Sequence, residues 1–115
     1  MKVVYIAHRL SAPTRDGIEA NRARASRWVA WAASQGVAPV ATWIVLTGQW
    51  NESDGNRVLG LKIDCALIGR CDELWVCGGA DEPTSEGMRL EVGHASQLPD
   101  CSIRYFITEN GEPPT

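Results

Sequence analysis

The chain has 115 residues, 44% of them hydrophobic, and a formal net charge of −3 at pH 7. This length fits one domain that can bury a core without disulfides or a metal, and the lack of a Lys/Arg run argues against a polynucleotide partner, because neutralising phosphates requires a basic face. The first apolar run, M-K-V-V-Y-I-A-H-R-L, is too short for a signal peptide and no segment reaches membrane-spanning length, so we expect a cytoplasmic protein without a membrane partner.

Apolar segments and helical patterns alternate in the first half of the chain. Residues 2–7 form an apolar, β-branched run that predicts a buried parallel strand. Residues 17–35 carry apolar side chains at three- and four-residue steps, which predicts a helix that stops at Gly36. Residues 37–45 are predicted as a second strand, and the polar stretch 47–56 is predicted as a loop.

The second half continues this alternation. Its predicted elements are a helix from residue 56 or 57 to 69, a strand over 73–77, a helix over 85–97 and a last strand over 102–107. Strands alternating with helices predict an α/β fold with a doubly wound, mostly parallel sheet of four to five strands and helices on both faces, a flavodoxin-like or Rossmann-like three-layer sandwich. We expect a single domain over residues 1–108 and a flexible C-terminal tail over residues 109–115.

The cysteines follow no metal-binding spacing. They are Cys65, Cys71, Cys77 and Cys101, which lie in or beside apolar segments and include no C-x-x-C pair. This distribution predicts buried thiols rather than a zinc site or a disulfide framework. We therefore expect no metal, and we also expect no cofactor.

The carboxyl ends of the strands are where ligands bind in doubly wound folds. Three loops are expected to converge there, over residues 8–16, 47–56 and 78–85. The last loop leads into the stretch T-S-E-G-M-R-L-E-V-G-H-A, Thr84 to Ala95, which begins with hydroxyls and a glycine and carries Glu91 inside its helix.

The start of this helix has the residues of an anion site. A helix N-terminus offers unpaired N–H groups, so the hydroxyl of Ser85 and the uncovered backbone of Gly87 can cradle an anion such as phosphate. Glu91 follows Ser85 by six residues, about 9 Å along the axis, so the two could contact opposite ends of one small ligand. The alternatives are that Ser85 only caps the helix and that Glu91 is a solvated surface residue.

Five short motifs together resemble the nucleoside 2-deoxyribosyltransferase-like family, over residues 3 to about 107. They are V-Y-I-A at residues 4–7, D-G-I-E-A-N-R-A at residues 16–23, the single Asp64, the pair Cys71-Asp72, and S-E-G-M-R-L-E-V-G-H-A at residues 85–95. The last motif is the most specific. Its pattern Ser-x-Gly-x-x-x-Glu is most similar to the branch of nucleoside 5'-monophosphate N-glycoside hydrolases.

The resemblance implies a small-molecule nucleoside or nucleotide as ligand, with Glu91 as the nucleophile that attacks C1' of the sugar while the base leaves. Asp64 matches the second acidic residue of the family, which holds the sugar or protonates the base; the alternative is an exposed helix position. Tyr5 would line the sugar pocket or lie in the core. The residues implied for the 5'-phosphate are Ser85 and Gly87, with Arg9 and Ser11 of the first loop as additional candidates.

His8 departs from the family pattern, because most relatives have glycine after Y-x-A. The His8 side chain could stack on a base, protonate it, or face solvent. Trp43 and Trp50 flank the second loop and could stack on a base, although burial is the more common role of tryptophan.

The predicted function is hydrolysis of the N-glycosidic bond of a (deoxy)nucleoside 5'-monophosphate. The alternatives are transfer of the deoxyribosyl group between bases and non-catalytic nucleotide binding; Ser85, in place of an acidic residue, favours a phosphorylated substrate. Relatives are homo-oligomers with shared pockets, and five tryptophans are many for one small domain to bury. We therefore expect a homodimer that covers an apolar patch at helix one, which carries Trp28 and Trp31, or at Trp50.

Overall fold

A computed structural model describes residues 1–51, 53–82 and 84–115. The elements in chain order are β1 (Val3–Ala7), α1 (Arg15–Ser34), β2 (Ala38–Val40), α2 (Thr42–Gln49), α3 (Asp54–Ile68), β3 (Glu73–Gly79), α4 (Glu86–Ser96) and β4 (Ser102–Thr108). Within the described ranges, no helix combines the length and the apolar character needed to cross a membrane.

The strands form one parallel sheet with the order β2-β1-β3-β4. β1 is an inner strand, where Tyr5 pairs with Val40 on β2 and with Leu74 on β3. The chain runs outward from β1 to β2, returns past β1 to β3, and continues outward to β4. The connections therefore reverse direction between β1 and β3, which is the switch point of a doubly wound sheet. The predicted fold class is confirmed.

Alternate residues of β1 point to opposite faces of the sheet. Tyr5 and Ala7 belong to an apolar cluster whose other members include Trp43 of α2, Ile68 of α3, and Met88 and Ala95 of α4. Val4 and Ile6 belong to a second cluster that includes Trp28 and Ala32 of α1 and Trp75 and Cys77 of β3. Helices thus pack on both faces and produce three layers.

The prediction of a strand over residues 37–45 is wrong beyond Val40, because residues 42–49 form α2. The β-branched residues in this stretch favour a strand, but tertiary packing overrides such local preferences. Here the buried indole of Trp43 donates its Nε1–H to the carbonyl oxygen of Ile6 at 3.0 Å, which attaches the helix to β1. The hydroxyl of Thr47 donates to the carbonyl of Trp43 at 2.6 Å, one helical turn away.

Local caps set the helix ends. α1 begins two residues before the predicted start, because the hydroxyl of Thr14 accepts from the N–H of Gly17 at 3.1 Å. The C-terminal end of α1 is followed by Gly36, as predicted, and its φ of +86° is a left-handed conformation that favours glycine. α3 also begins earlier than predicted, because the hydroxyl of Ser53 accepts from the N–H of Asn56 at 3.1 Å.

The C-terminal tail folds back onto α1. The indole N–H of Trp28 donates to the carbonyl oxygen of Gly111 at 2.8 Å, and Gly111 has a φ of +78° that favours glycine. Arg27 forms a forked ion pair with Glu112, with N···O distances of 2.6 and 2.8 Å. Flexibility of residues 109–115 stays a prediction.

The tryptophans of α1 do not form the expected exposed patch. Trp28 is fully buried, and Trp31 is half-buried because it packs against Trp28, Trp75 and Phe106 with ring centroids 5.4, 5.9 and 5.2 Å apart. The exposed large hydrophobic residues are Met1, Val45, Val58, Leu59, Leu90, Tyr105 and Ile107. They lie mainly on α2, α3, α4 and β4, and a homodimer stays a prediction.

Candidate functional site

Three titratable side chains from three elements meet between the sheet and the helices α3 and α4. Tyr5 of β1 is fully buried, and its hydroxyl donates to Oε2 of Glu91 on α4. The carboxyl of Asp64 on α3 interacts with both of these groups. The structure therefore brings together the three residues that the resemblance implies for the sugar and the chemistry.

Helical spacing explains why a carboxylate points into the protein here. Glu91 follows Met88 by three residues and precedes Ala95 by four, and all three lie on the buried side of α4. Only 7% of Glu91 is exposed, so the expectation of a solvated surface glutamate is excluded. Asp64 is half-buried, and its Oδ1 is fully buried without a hydrogen bond to any residue that the structure describes.

Burial dominates the electrostatics of this group. It raises the pKa of Glu91 to about 8, the charge of Asp64 adds to this rise, and the hydrogen bond from Tyr5 opposes it. Burial also raises the pKa of Asp64 above its ordinary value, and burial together with the two carboxylates raises the pKa of Tyr5. Because two carboxyls share one dehydrated site, the pair retains a proton at pH values where a solvated pair would hold none.

The N-terminus of α4 is capped and also accessible. The hydroxyl oxygen of Ser85 accepts from the N–H of Met88 at 3.2 Å, so Ser85 is the N-cap residue. This contact uses an acceptor site and leaves the hydroxyl proton for another partner. Gly87 is exposed, and a Cβ at this position would meet none of the described atoms within 4 Å. The backbone at Gly87 is therefore open to a ligand.

Arg9 lies beside this helix end. It lines a small cleft of about 50 Å³ together with Gly78, Gly79, Thr84 and other residues of β3 and α4. The guanidinium Nη2 of Arg9 donates to the carbonyl oxygen of Ser11 at 3.1 Å, and its Nε is buried without a hydrogen-bond partner within the described part of the chain. The structure thus places a cation next to the open N-terminus of α4.

A second cleft, of about 310 Å³, adjoins the first and shares Val76, Thr84 and Met88 with it. Neither Glu91 nor Asp64 is among the described residues that line the two clefts. The open part of the site and the buried carboxyl pair are therefore neighbouring regions of α4, and they are not parts of one preformed pocket.

His8 does not face solvent, so that alternative is wrong. Only 4% of the residue is exposed, Nδ1 lies 2.6 Å from the carbonyl oxygen of Arg9, and Nε2 accepts from Nε of Arg24 at 3.0 Å. Ser11 is exposed, and its carbonyl oxygen accepts from Asn21 at 3.3 Å as well as from Arg9. The side chains of His8 and Ser11 are not among the described residues that line the two clefts.

Sequence reasoning missed Arg24 and Glu82. Arg24 is ion-paired with Glu82, which also lines the smaller cleft. Arg24 lies on a helix with several other charged residues, where a solvated arginine is the usual reading, and Glu82 lies in a loop without a periodic pattern. No signal in the single sequence connects the two residues, because 58 positions separate them.

The indoles near the second loop have structural contacts. Trp43 is buried and hydrogen-bonded to β1, whereas Trp50 is half-buried and follows the end of α2.

The four cysteines are free, with Cys71 and Cys77 buried and Cys65 and Cys101 half-buried. Throughout the described ranges, no three or more His, Cys, Asp or Glu side chains come together in a group that could hold a metal ion.

Comparisons with known proteins agree with this fold. No curated protein matches the chain. The solved structure of the Clostridium botulinum CMP N-glycosidase, BcmB, is similar to it with a TM-score of 0.53 and 16% sequence identity, over 93% of this chain and 88% of that one. This similarity shows a shared Rossmann-like fold. The model of the family described as "Domain of unknown function (DUF7768)" matches residues 2–106. Because this match spans most of the 115 residues, the chain belongs to that family.

Proposed function

We propose that this protein hydrolyses the N-glycosidic bond of a nucleoside 5'-monophosphate and releases the nucleobase. The observation that carries the proposal is the contact of Tyr5 with Glu91, beside Asp64, at the switch point of the sheet. Most glycosidases with an oxocarbenium-like transition state use a pair of carboxyl groups, one protonated and one ionised. The fold shared with a CMP N-glycosidase supports the same substrate class.

In the proposed mechanism Glu91 is the nucleophile. Its carboxylate forms a bond to C1' of the sugar as the bond from C1' to the base nitrogen breaks, and Asp64 gives its proton to the departing base. Water then attacks C1', returns a proton to Asp64 and releases Glu91. The hydroxyl of Tyr5 donates to Glu91 and favours its charged form, whereas the charge of Asp64 favours the protonated form of Glu91. Attack on C1' therefore requires that the shared proton move from Glu91 to Asp64 when the sugar binds.

The phosphate would bind at the other end of the site. The N–H groups around Gly87 and the hydroxyl of Ser85 lie at the start of α4, and Arg9 lines the cleft that Thr84 and Met88 also line. We assign these groups as the phosphate donors. Ser85 and Glu91 are six residues apart, about 9 Å along the helix, which suits a sugar 5'-phosphate spanning from one to the other. Because Glu91 is buried, side chains that cover it must shift when the sugar binds.

Base release from a panel of substrates tests the proposal. The panel contains nucleosides and their 5'-monophosphates, in ribose and deoxyribose forms and including CMP, and released base is detected by chromatography. We expect release from at least one monophosphate, and loss of this release in Glu91→Gln. Glu86→Gln is the matched control, because Glu86 is exposed on the same helix. Full activity of Glu91→Gln would exclude the proposed nucleophile.

A second candidate is a nucleotide-binding module without turnover. The burial of Glu91 and its raised pKa favour this alternative, because a covered and protonated carboxyl cannot attack a sugar. Monophosphate binding without base release across the panel would identify it. Base exchange is distinguished from hydrolysis by adding a second free base, which a deoxyribosyltransferase would incorporate into a new nucleoside.

A further inference from the structure

A continuous chain of hydrogen bonds links the loop after β1 to the loop after β3. It starts at the carbonyl oxygen of Arg9, which lies 2.6 Å from Nδ1 of His8, and Nε2 of the same ring accepts from Nε of Arg24 at 3.0 Å. Nη2 of Arg24 donates to Oε2 of Glu82. Finally, Oε1 of Glu82 accepts from the backbone N–H of Gly79 at 2.8 Å.

The two ends of this series of hydrogen bonds lie on the same cleft. Arg9 lines the cleft from the loop after β1, and Gly79 and Glu82 line it from β3 and the loop that follows. Thr84, at the entrance to α4, is another lining residue. This series of hydrogen bonds therefore fixes the distance between Arg9 and the loop that leads into the N-terminus of α4.

The bonding of His8, Arg24 and Glu82 suits a structural role, and we call these three connected side chains the link. Both ring nitrogens of His8 are used inside the protein, and the guanidinium of Arg24 contacts two partners through two different nitrogens, Nε and Nη2. A planar guanidinium holds these two donors at a fixed separation, whereas a lysine ammonium cannot reproduce this geometry. His8 must be neutral, with Nδ1–H as donor and Nε2 as acceptor, because Arg24 supplies only donors.

The C-terminal turn closes over the same link. A Cβ placed on Gly111 would lie 2.5 Å from Nη1 of Arg24 and 2.7 Å from Oε1 of Glu82, so a side chain here would displace the ends of the ion pair. A Cβ on Gly79 would lie 2.6 Å from Oε1 of Glu82. Two glycines thus enclose the Glu82 carboxylate, and the bond from Trp28 holds Gly111 in place.

We propose that His8, Arg24 and Glu82 are positioning residues that set the distance between Arg9 and the N-terminus of α4, and thereby shape the phosphate end of the site. The identity of the ligand rests on the proposed function, but the link itself does not. None of the three residues is required to touch the reacting atoms. They act through Arg9 on one side and Gly79 on the other.

This arrangement has a pH signature. Protonation of His8 would remove the acceptor at Nε2 and place a positive charge against Arg24 of α1. The other charged groups that face His8 are Glu82 of the loop after β3 and Glu112 of the tail. Burial lowers the pKa of His8 below its ordinary value, so the link is intact at neutral pH and breaks on acidification.

Binding and kinetics with CMP and cytidine test the proposal. In Arg24→Lys and in Glu82→Gln, we expect the affinity for CMP, measured by calorimetry, to fall about tenfold. The affinity for cytidine should change less than about twofold, because cytidine lacks the phosphate. If CMP is turned over, KM should rise while kcat stays within about threefold.

Two further variants serve as controls. Arg22→Lys changes another arginine of α1, which pairs with Glu19 and donates to Thr47 at 3.3 Å, and it should leave the ratio of CMP to cytidine affinity unchanged. His8→Gln supplies a polar side chain that does not titrate. As the pH falls below about 6.5, the ordinary pKa of histidine, CMP affinity should fall more in the wild type than in His8→Gln, and the titration of CMP itself cancels in this comparison.

The outcomes separate this inference from the proposed function. If CMP binds and Arg24→Lys weakens its binding selectively, but no base is released, the positioning role stands and the hydrolase assignment fails. A second outcome is that base is released and that Glu91→Gln abolishes this release. If Arg24→Lys and Glu82→Gln then keep the wild-type ratio of CMP affinity to cytidine affinity, the positioning role is wrong. If no 5'-monophosphate of the panel binds the wild type, both proposals are wrong.

Discussion

The two ends of α4 differ in almost every physical property. At its N-terminus, Thr84 lines an accessible cleft, and open space surrounds Gly87. Two turns later, Glu91 is buried against Tyr5 and Asp64. An anion site needs access and unpaired donors, whereas a carboxyl pair with a shifted pKa needs exclusion of water. One short helix provides both environments, and the predictions below address each end separately.

The largest expected effect is at the buried end. Glu91→Gln keeps the volume and hydrogen bonding of the side chain but removes the nucleophilic charge, so base release should fall by at least about a thousandfold. Chromatography of released base measures this, and circular dichroism checks that the fold is retained. Comparable loss in the exposed control Glu86→Gln would show that the effect does not come from the buried carboxyl.

The next effect is at the accessible end. Ser85→Ala should weaken binding of a 5'-monophosphate about ten- to hundredfold more than binding of the matching nucleoside, because a hydrogen bond to a charged group contributes about 1.5 to 3 kcal/mol. Loss of the N-cap should also lower the free energy of unfolding by about 1 kcal/mol. Calorimetry with both ligands and urea denaturation separate the two roles. Equal losses for the two ligands would leave Ser85 with a capping role only.

A third prediction uses the pH dependence of stability. The raised pKa of Glu91 means that its contribution to the stability of the folded state is fully present below the unfolded-state pKa and is lost as pH rises toward about 8. Glutamine at this position does not titrate. The free energy of unfolding of Glu91→Gln, relative to the wild type, should therefore increase by at least about 1.4 kcal/mol between about pH 5 and pH 8. Parallel pH profiles from urea denaturation would contradict the shift.

The smallest expected effect is at Gly87, where substitution by alanine should raise stability and lower monophosphate affinity. Gly87→Ala should raise the free energy of unfolding by up to about 1 kcal/mol, because alanine favours a helix and space is available for its methyl group. The same methyl group would obstruct close approach of a phosphate, so monophosphate affinity should fall several-fold. Gly55→Ala is the matched control, since Gly55 is the second residue of α3, as Gly87 is of α4, and also has open space around it. A loss of affinity in both variants would argue against a phosphate contact at Gly87.

Alternation of apolar strands with helical patterns was sufficient to predict the fold class. Tyr5, Asp64 and Glu91 were named only through the resemblance, because the sequence alone does not say which side of α4 is covered. The structure places Glu91 on the same buried side as Met88. The helix over residues 42–49 could not be predicted, because its β-branched residues favour a strand and only packing of Trp43 on β1 decides the outcome.

The link from His8 to Glu82 was inaccessible to sequence reasoning for a different reason. Its members are 16 and 58 positions apart, and ion pairs of this separation leave no periodic pattern. The resemblance to the nucleoside 2-deoxyribosyltransferase-like family indicated only that His8 departs from that family's pattern. Its ring nitrogens are satisfied by Arg9 and Arg24, which become neighbours only when the loop after β1 packs on α1.

The end position of β4 in the sheet has a consequence for handling the protein. An outer strand presents N–H and C=O groups that can pair with another chain, and here Tyr105 and Ile107 expose apolar surface on the same strand. Arg104 lies on the opposite face of β4, with its guanidinium 5.6 Å from the ring of Trp75 and 5.0 Å from the ring of Phe106. Its charge discourages edge-to-edge aggregation, so Arg104 is a residue to retain when solubility matters.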